Sequence, residues 1–347
     1  MTRTRTEHPV EYRALVAHAA GDLRVETRTL REPAPHEAVV AIAHGGVCGS
    51  DLHYDAHGAV GESVLRGPMV LGHEVSGHVA RAAADGSGPA EGTPVTVHPA
   101  TPCGTCRFCA EGRQNLCPHT SYLGSAARFP HTDGAFAERH VVDASRLVAL
   151  PEGLDVRTAA LAEPASVAWH AVSRAGEVAG RRVLVVGAGP IGALVVAVLR
   201  RAGAGEIVVS DLHERPLRLA TELGATRTVL GNAPEDLEAD VAIDSSGSAA
   251  GVSTAVGALR RGGRLVLLGL PPTPEQPFLS GLVATRELTV TGSFRFHAEL
   301  TEVVAAMADG SLHTAPVISH EFPLSEAATA FAVARDASAS GKVLLGF

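Results

Sequence analysis

"RRVLVVGAGPIGALVVAVLRRAGAGEIVVSD", residues 181–211, reads as strand, tight turn, helix and second strand. Val183 to Val186 is a short, mostly β-branched run, the pattern of a buried parallel strand. Gly187, Gly189 and Gly192 then fit G-x-G-x-x-G, and a helix-compatible run follows to Arg201. The three glycines serve, in turn, the sharp turn, backbone approach to a pyrophosphate, and close helix–strand packing. Pro190 presets φ at the helix start without removing a needed donor, and Ile191 completes the turn. A diphosphate would sit on the helix N-terminus, where free N–H groups and the dipole meet it.

Asp211 closes the second strand, about 20 residues past the last glycine. A carboxylate there accepts from both adenosine ribose hydroxyls and repels a 2′-phosphate, which favours NAD over NADP. Arg215 lies close enough to weaken that preference; its alternative is a solvated helix face. Further strands are expected at 226–230, 240–244, 264–269 and 287–292, with helical stretches between several of them. Six strands are the count of a doubly wound dinucleotide fold. The expected organisation is α/β: a Rossmann domain at 161–299, with 1–160 and 300–347 forming one discontinuous, β-rich domain.

The chain has 347 residues, 46% apolar and 19% charged, with a formal net charge of −8. It is expected to fold into a packed core, and its acidity argues against nucleic acid as a partner. Lys342 is the only lysine, which leaves a Schiff-base mechanism one poorly placed candidate. The first residues lack an apolar leader, and the longest apolar stretch is broken by glycines and a proline. We therefore expect no signal peptide, no membrane span and a cytoplasmic protein.

"CGTCRFCAEGRQNLC", residues 103–117, holds four of the five cysteines, spaced C-x2-C-x2-C-x7-C. In a reducing compartment such a cluster is a metal site rather than a disulfide framework. Cys103, Cys106, Cys109 and Cys117 can close a tetrahedral shell around a structural zinc, with Pro102, Gly104 and Gly112 supplying the turns. An iron–sulfur cluster also takes four cysteines, although the bacterial ferredoxin run spaces its fourth differently. A stand-alone zinc-ribbon-like binding module would need basic and aromatic surroundings. The flank offers only Arg107, Phe108 and Arg113.

The fifth cysteine, Cys48, stands in "GGVCGSDLHY". Downstream come "GPMVLGHEVSGHV", with His73 and Glu74, and "LAEPASVAWHA", with Glu163. His73-Glu74 fails the H-E-x-x-H test, because the next histidine is His78 and the flanks are not helical. With "DGAFAE", "VVGAGPIG" and "GSFRF", these motifs make the chain resemble the zinc-dependent medium-chain alcohol dehydrogenases along essentially its whole length. Within them it is most similar to the sorbitol and L-idonate 5-dehydrogenase branch.

The resemblance implies a GroES-like catalytic domain and two zinc ions per chain. It implies Cys48 and His73 as catalytic-zinc ligands, completed by Glu163. Glu74 is then the neighbouring carboxylate, able to hold the metal directly or through water. The four-cysteine loop matches the structural lobe. Zinc would acidify a secondary alcohol of a polyol or sugar acid, whose hydride passes to the nicotinamide. Ser50 would take the proton and pass it through the cofactor ribose to His53; the alternatives are a turn-capping serine and a solvated histidine. A homodimer or homotetramer is implied, with the 287–292 edge strand pairing across a two-fold axis.

Two other enzymes would share this scaffold. A zinc-free reductase would lack the ligands that this chain keeps. A cyclitol or amino-cyclitol dehydrogenase would keep every motif. Arg295, between Phe294 and Phe296, is the expected substrate contact by resemblance; a surface arginine between two core aromatics is the alternative. Phe296 stands where many polyol dehydrogenases have tyrosine, which removes a hydroxyl from the pocket. If 294–296 alternated as a strand, Arg295 would face away from both phenylalanines.

Overall fold

Residues 9–271 and 275–347 are described by the computed structural model. The 181–211 stretch folds into the strand Arg182–Val186, the helix Pro190–Arg201 and the strand Glu206–Asp211. With Arg227–Leu230, Ala239–Asp244, Leu259–Leu267 and Thr289–Gly292 these strands form one six-stranded parallel sheet. In sequence order the strands lie 3-2-1-4-5-6, so the chain reverses direction beside Arg182–Val186. That reversal opens the crevice in which doubly wound sheets bind ligands.

The strand expected at 264–269 begins at Leu259. A register shift opposite Ala239–Val241 and a left-handed Gly262, φ +69°, carry it through a bend that side-chain alternation does not announce. The helices Ala162–Ala175, Pro190–Arg201 and Leu300–Ala308 bury their apolar faces in one cluster that includes Leu161, Leu194, Leu199, Val303 and Val304.

A second sheet joins the two ends of the chain. Its path runs Leu147–Ala149, Pro94–Val97, Glu74–Arg81, Glu37–Gly46, Lys342–Gly346 and Ile318–Pro323, and Arg139–Asp143 also pairs with Glu37–Gly46. Phe136, Leu71, Val75 and Phe331 fill the cluster beneath it. Among the described residues no helix is long and apolar enough to cross a membrane.

Candidate active site

Strand register builds the first half of the site. Glu37–Gly46 and Glu74–Arg81 run antiparallel with Gly46 opposite Glu74. Cys48, just past the end of one strand, therefore meets His73, just before the start of the other. A Cβ on Gly46 would stand 2.3 Å from Glu74 Oε2, so only glycine leaves that carboxylate its place. Cys48 is also the N-cap of the helix Gly49–His57. The buried Asp51, in that helix's first turn, accepts from Cys48 N at 3.0 Å and from Gly72 N at 3.2 Å. One carboxylate thus ties the Cys48 and Gly72–His73 segments together, a tie that residue patterns do not reveal.

Cys48 Sγ, a His73 ring nitrogen and a Glu74 oxygen lie within 4.8 Å of one another. Both Glu74 oxygens accept from the buried Lys342 ammonium, at 2.8 and 2.7 Å. Glu163 enters from the first turn of the helix Ala162–Ala175, and its Oε1 accepts from the Tyr122 hydroxyl at 2.6 Å. Burial works against a charge on His73, yet Cys48, Asp51 and Glu163 hold it protonated up to about 10. Burial likewise lifts Glu163 to about 7, against the pull of His73. A buried imidazole beside a thiol and several carboxyl groups makes a pocket shaped for a cation. A sulfur, a nitrogen and a carboxylate oxygen are the donors zinc takes when one position is left open.

In the cysteine loop the four sulfurs also lie within 4.8 Å of one another. All are free thiols; Cys106–Cys109 and Cys103–Cys117 stand 3.5 Å apart, far beyond a disulfide. Gly104 and Gly112, both at positive φ, make the turns. The Thr105 and Cys106 N–H groups and the Thr105 hydroxyl donate to Cys103 and pull its thiol down to about 5. This closed all-sulfur set fits a structural zinc.

The three glycines differ in what surrounds them. Gly187 has φ +89°, a Cβ on Gly192 would strike Gly187 O at 2.0 Å, and a Cβ on Gly189 would meet nothing within 4 Å. Gly189 faces open space, where a pyrophosphate can approach. Pro190 opens the helix, with Ile191 in its first turn. Asp211 braces the turn from its strand end, accepting from Ala188 N at 2.7 Å and His213 N at 2.9 Å. Arg215 departs from the solvated helix face: its Nη1 is buried without a hydrogen-bond partner and turned toward Gly341.

The 293–299 segment departs most from expectation. The strand ends at Gly292, so alternation no longer governs the residues that follow. Arg295 takes φ +54°, and its guanidinium stacks on the rings of Tyr122, at 4.0 Å, and Phe294, at 4.8 Å. It therefore shares a side with Phe294 rather than facing away from it. Phe294 is 43% exposed and is no core residue. Phe296, expected in the substrate pocket, is instead buried against the His98 ring at 4.9 Å. A cleft of about 190 Å³ is lined by Tyr122, Arg128 and Arg295 among others. Because Tyr122 also touches Glu163, this cleft opens beside that carboxylate.

Two families match. "Alcohol dehydrogenase GroES-like domain" covers residues 34–152, and "Zinc-binding dehydrogenase" covers residues 190–309. The chain is 37% identical to the L-idonate 5-dehydrogenase (NAD(P)(+)) of Escherichia coli over 89% of its own length and 91% of that protein's. The sorbitol dehydrogenase of Gallus gallus is 36% identical, with 92% of each chain covered. The crystal structure of the Escherichia coli L-idonate 5-dehydrogenase superposes with a TM-score of 0.93 at 35% identity, covering 98% of this chain and 99% of that one. The chain is a zinc-dependent medium-chain alcohol dehydrogenase of the sorbitol and L-idonate 5-dehydrogenase branch.

In this dehydrogenase Ser50 and His53 share the helix Gly49–His57; Ser50 is half-buried and His53 exposed. Among the described residues no hydrogen bond joins them, and the His53 ring lies 5.8 Å from that of His57. Asn115, inside the cysteine loop, donates to Phe294 O at 2.9 Å, while His170 meets Glu299 at 2.6 Å. These contacts join the loop, the helix Ala162–Ala175 and the Arg295 segment of the enzyme. The polar residues in them carry no local signal in the sequence.

Proposed function

We propose that the enzyme oxidises a secondary alcohol of a polyol or sugar acid with NAD. It would carry a catalytic zinc on Cys48, His73 and Glu163 and a structural zinc on Cys103, Cys106, Cys109 and Cys117. The observation that carries this reading is the meeting of Cys48 and His73 with a carboxylate, Glu74, within 4.8 Å, while Glu163 also acts on His73 and reaches the Arg295 cleft through Tyr122. We assign Glu163 as third ligand because Lys342 engages both oxygens of Glu74, whereas among the described residues only Oε1 of Glu163 accepts a hydrogen bond, from Tyr122. When bound, the metal would supply a Lewis acid and the nicotinamide a hydride acceptor.

The chain's own residues do the rest. Asp51 holds Cys48 and His73 in place, Tyr122 aims Glu163, and Arg295 orients the substrate. Ser50 takes the hydroxyl proton and passes it outward toward His53. Asp211 binds the adenosine ribose, which supports NAD over NADP, with Arg215 as the phosphate contact if NADP is used. The Escherichia coli relative's name covers both cofactors.

We take the flanks as one discontinuous catalytic domain. They are residues 1–160 and 300–347 around a Rossmann domain at 161–299, with the helix Leu300–Ala308 packed in one cluster with the helices Ala162–Ala175 and Pro190–Arg201. The strand Thr289–Gly292 closes one end of the six-stranded sheet, which supports a dimer or tetramer built across that edge. Free thiols support a cytoplasmic setting. The test is a panel of polyols, aldonates and cyclitols with NAD and NADP, followed by nicotinamide absorbance. Turnover of simple primary alcohols alone would overturn the reading.

A further inference from the structure

The cleft beside Tyr122 is lined by Arg128 and Arg295 and by the hydroxyl-bearing Thr120, Ser121, Ser125 and Thr132, with no carboxylate among its lining residues. At about 190 Å³ it is below the size of drug pockets and suits a short hydroxylated chain. Many arginines of this chain are paired: Arg13 with Glu138, Arg31 with Glu37, Arg182 with Glu206. Among the described residues neither Arg128 nor Arg295 belongs to an ion pair. Arg295, clasped between two rings, has no hydrogen-bond acceptor among them either. Arg128 is steadied by one bond, from Nη2 to Pro118 O at 2.9 Å.

Two guanidinium-bearing residues line one small cleft that holds no carboxylate, so an anion entering it would meet uncompensated positive charge. Arg295 also holds a left-handed backbone, φ +54°, at a side-chain-bearing position. Strain of this kind persists where a binding site needs it.

We propose that Arg128 and Arg295 together grip a terminal oxyanion, carboxylate or phosphate, on the substrate end remote from Cys48 and His73, and that Arg128 selects acidic over neutral polyols. This rests on the polyol and sugar-acid reading above. Guanidinium forks suit either oxyanion, through paired charge-assisted hydrogen bonds.

The experiment compares each anion with its neutral parent: L-idonate with L-iditol, and sorbitol 6-phosphate with sorbitol. Zinc-loaded wild type, Arg128→Gln and Arg128→Lys are used, and circular dichroism checks the fold. Binding is read by calorimetry and turnover by nicotinamide absorbance. The expected result is that wild type favours at least one anion over its parent by about tenfold or more. Arg128→Gln should erase most of that ratio through KM, and Arg128→Lys should keep part of it. The arm with the larger ratio names the oxyanion. No preference in wild type, or equal losses on acid and neutral ligands in Arg128→Gln, overturns the proposal. An anion preference in binding without turnover of any polyol upholds the subsite and removes the dehydrogenase reading. Turnover without preference does the reverse, and neither binding nor turnover removes both.

Discussion

Lys342, the only lysine in the chain, sets its ammonium 2.8 and 2.7 Å from the two oxygens of Glu74, and both side chains are buried. Burial works against the lysine's charge, but Glu74 and Cys48 together raise its pKa above the ordinary value. This is no Schiff-base nucleophile. It is half of a buried pair that occupies Glu74 beside Cys48 and His73.

Removing one partner leaves the other charge buried and alone. Lys342→Met should therefore cost about 3–5 kcal/mol in denaturant unfolding. The double variant with Glu74→Gln should recover part of that loss. Peptide mapping after acylation offers an independent check: Lys342 should react only once the protein is unfolded.

The two proposed zinc ions should separate by mutation. Cys106→Ala should lose one zinc and lower Tm by about 5 °C or more, because a structural ion contributes folding energy. Cys48→Ala should lose the other zinc and the activity while largely keeping the fold. Elemental analysis and thermal melts read both. A single zinc in wild type, or iron in the cysteine loop, would contradict the assignment.

Local chemistry explains what residue patterns disclose. A glycine turn, a cysteine spacing and a strand-helix-strand period each lie within about one supersecondary unit, so their physics is written in neighbouring residues. What escapes is long-range. Lys342 meets Glu74 across 268 residues, Asn115 meets Phe294 across 179, and Tyr122 meets Glu163 across 41. Only the fold creates such pairs. Arg295 lines the cleft beside Tyr122, where the resemblance places a substrate contact, but alternation fails for its neighbours because the strand stops at Gly292. Past that point backbone strain and ring stacking decide where each side chain goes.

The His170–Glu299 pair predicts acid sensitivity. Burial raises the Glu299 carboxyl, but hydrogen bonds from His170 and the His297 N–H hold it at about 2. Its folded-state pKa lies below the unfolded one. Its contribution is therefore complete above about 4.5 and is lost as pH falls through about 2. Glu299→Gln should remove that contribution, of the order of 2 kcal/mol once solvent screening is allowed for. Unfolding free energies of the two proteins should converge toward pH 2. Parallel pH profiles would refute the assignment.

Asp211 accepts two backbone N–H groups, so replacing it disturbs the turn as well as the ribose site. Asp211→Ala should raise KM for NAD about tenfold, reduce the discrimination against NADP and lower Tm slightly. Steady-state kinetics with both cofactors tests this. A wild type that already prefers NADP would shift the assignment to Arg215.

Tyr122 has two separable duties, because its hydroxyl donates to Glu163 at 2.6 Å while its ring supports the Arg295 guanidinium at 4.0 Å. Tyr122→Phe deletes the hydroxyl and keeps the ring. Glu163 then loses the donor that orients it, and zinc affinity at the catalytic site should fall about 10- to 100-fold, as for other partners that orient metal ligands. Substrate KM at saturating zinc should change much less. Tyr122→Leu removes the ring as well, so Arg295 loses a stacking partner worth about 1 kcal/mol and its fixed direction. This second variant should add a rise in KM to the same loss of zinc. Chelator competition measures the metal, and kinetics at saturating zinc measures the pocket. If Tyr122→Phe leaves zinc affinity unchanged, Glu163 is not the ligand that Tyr122 orients, and Glu74 must leave Lys342 to complete the shell.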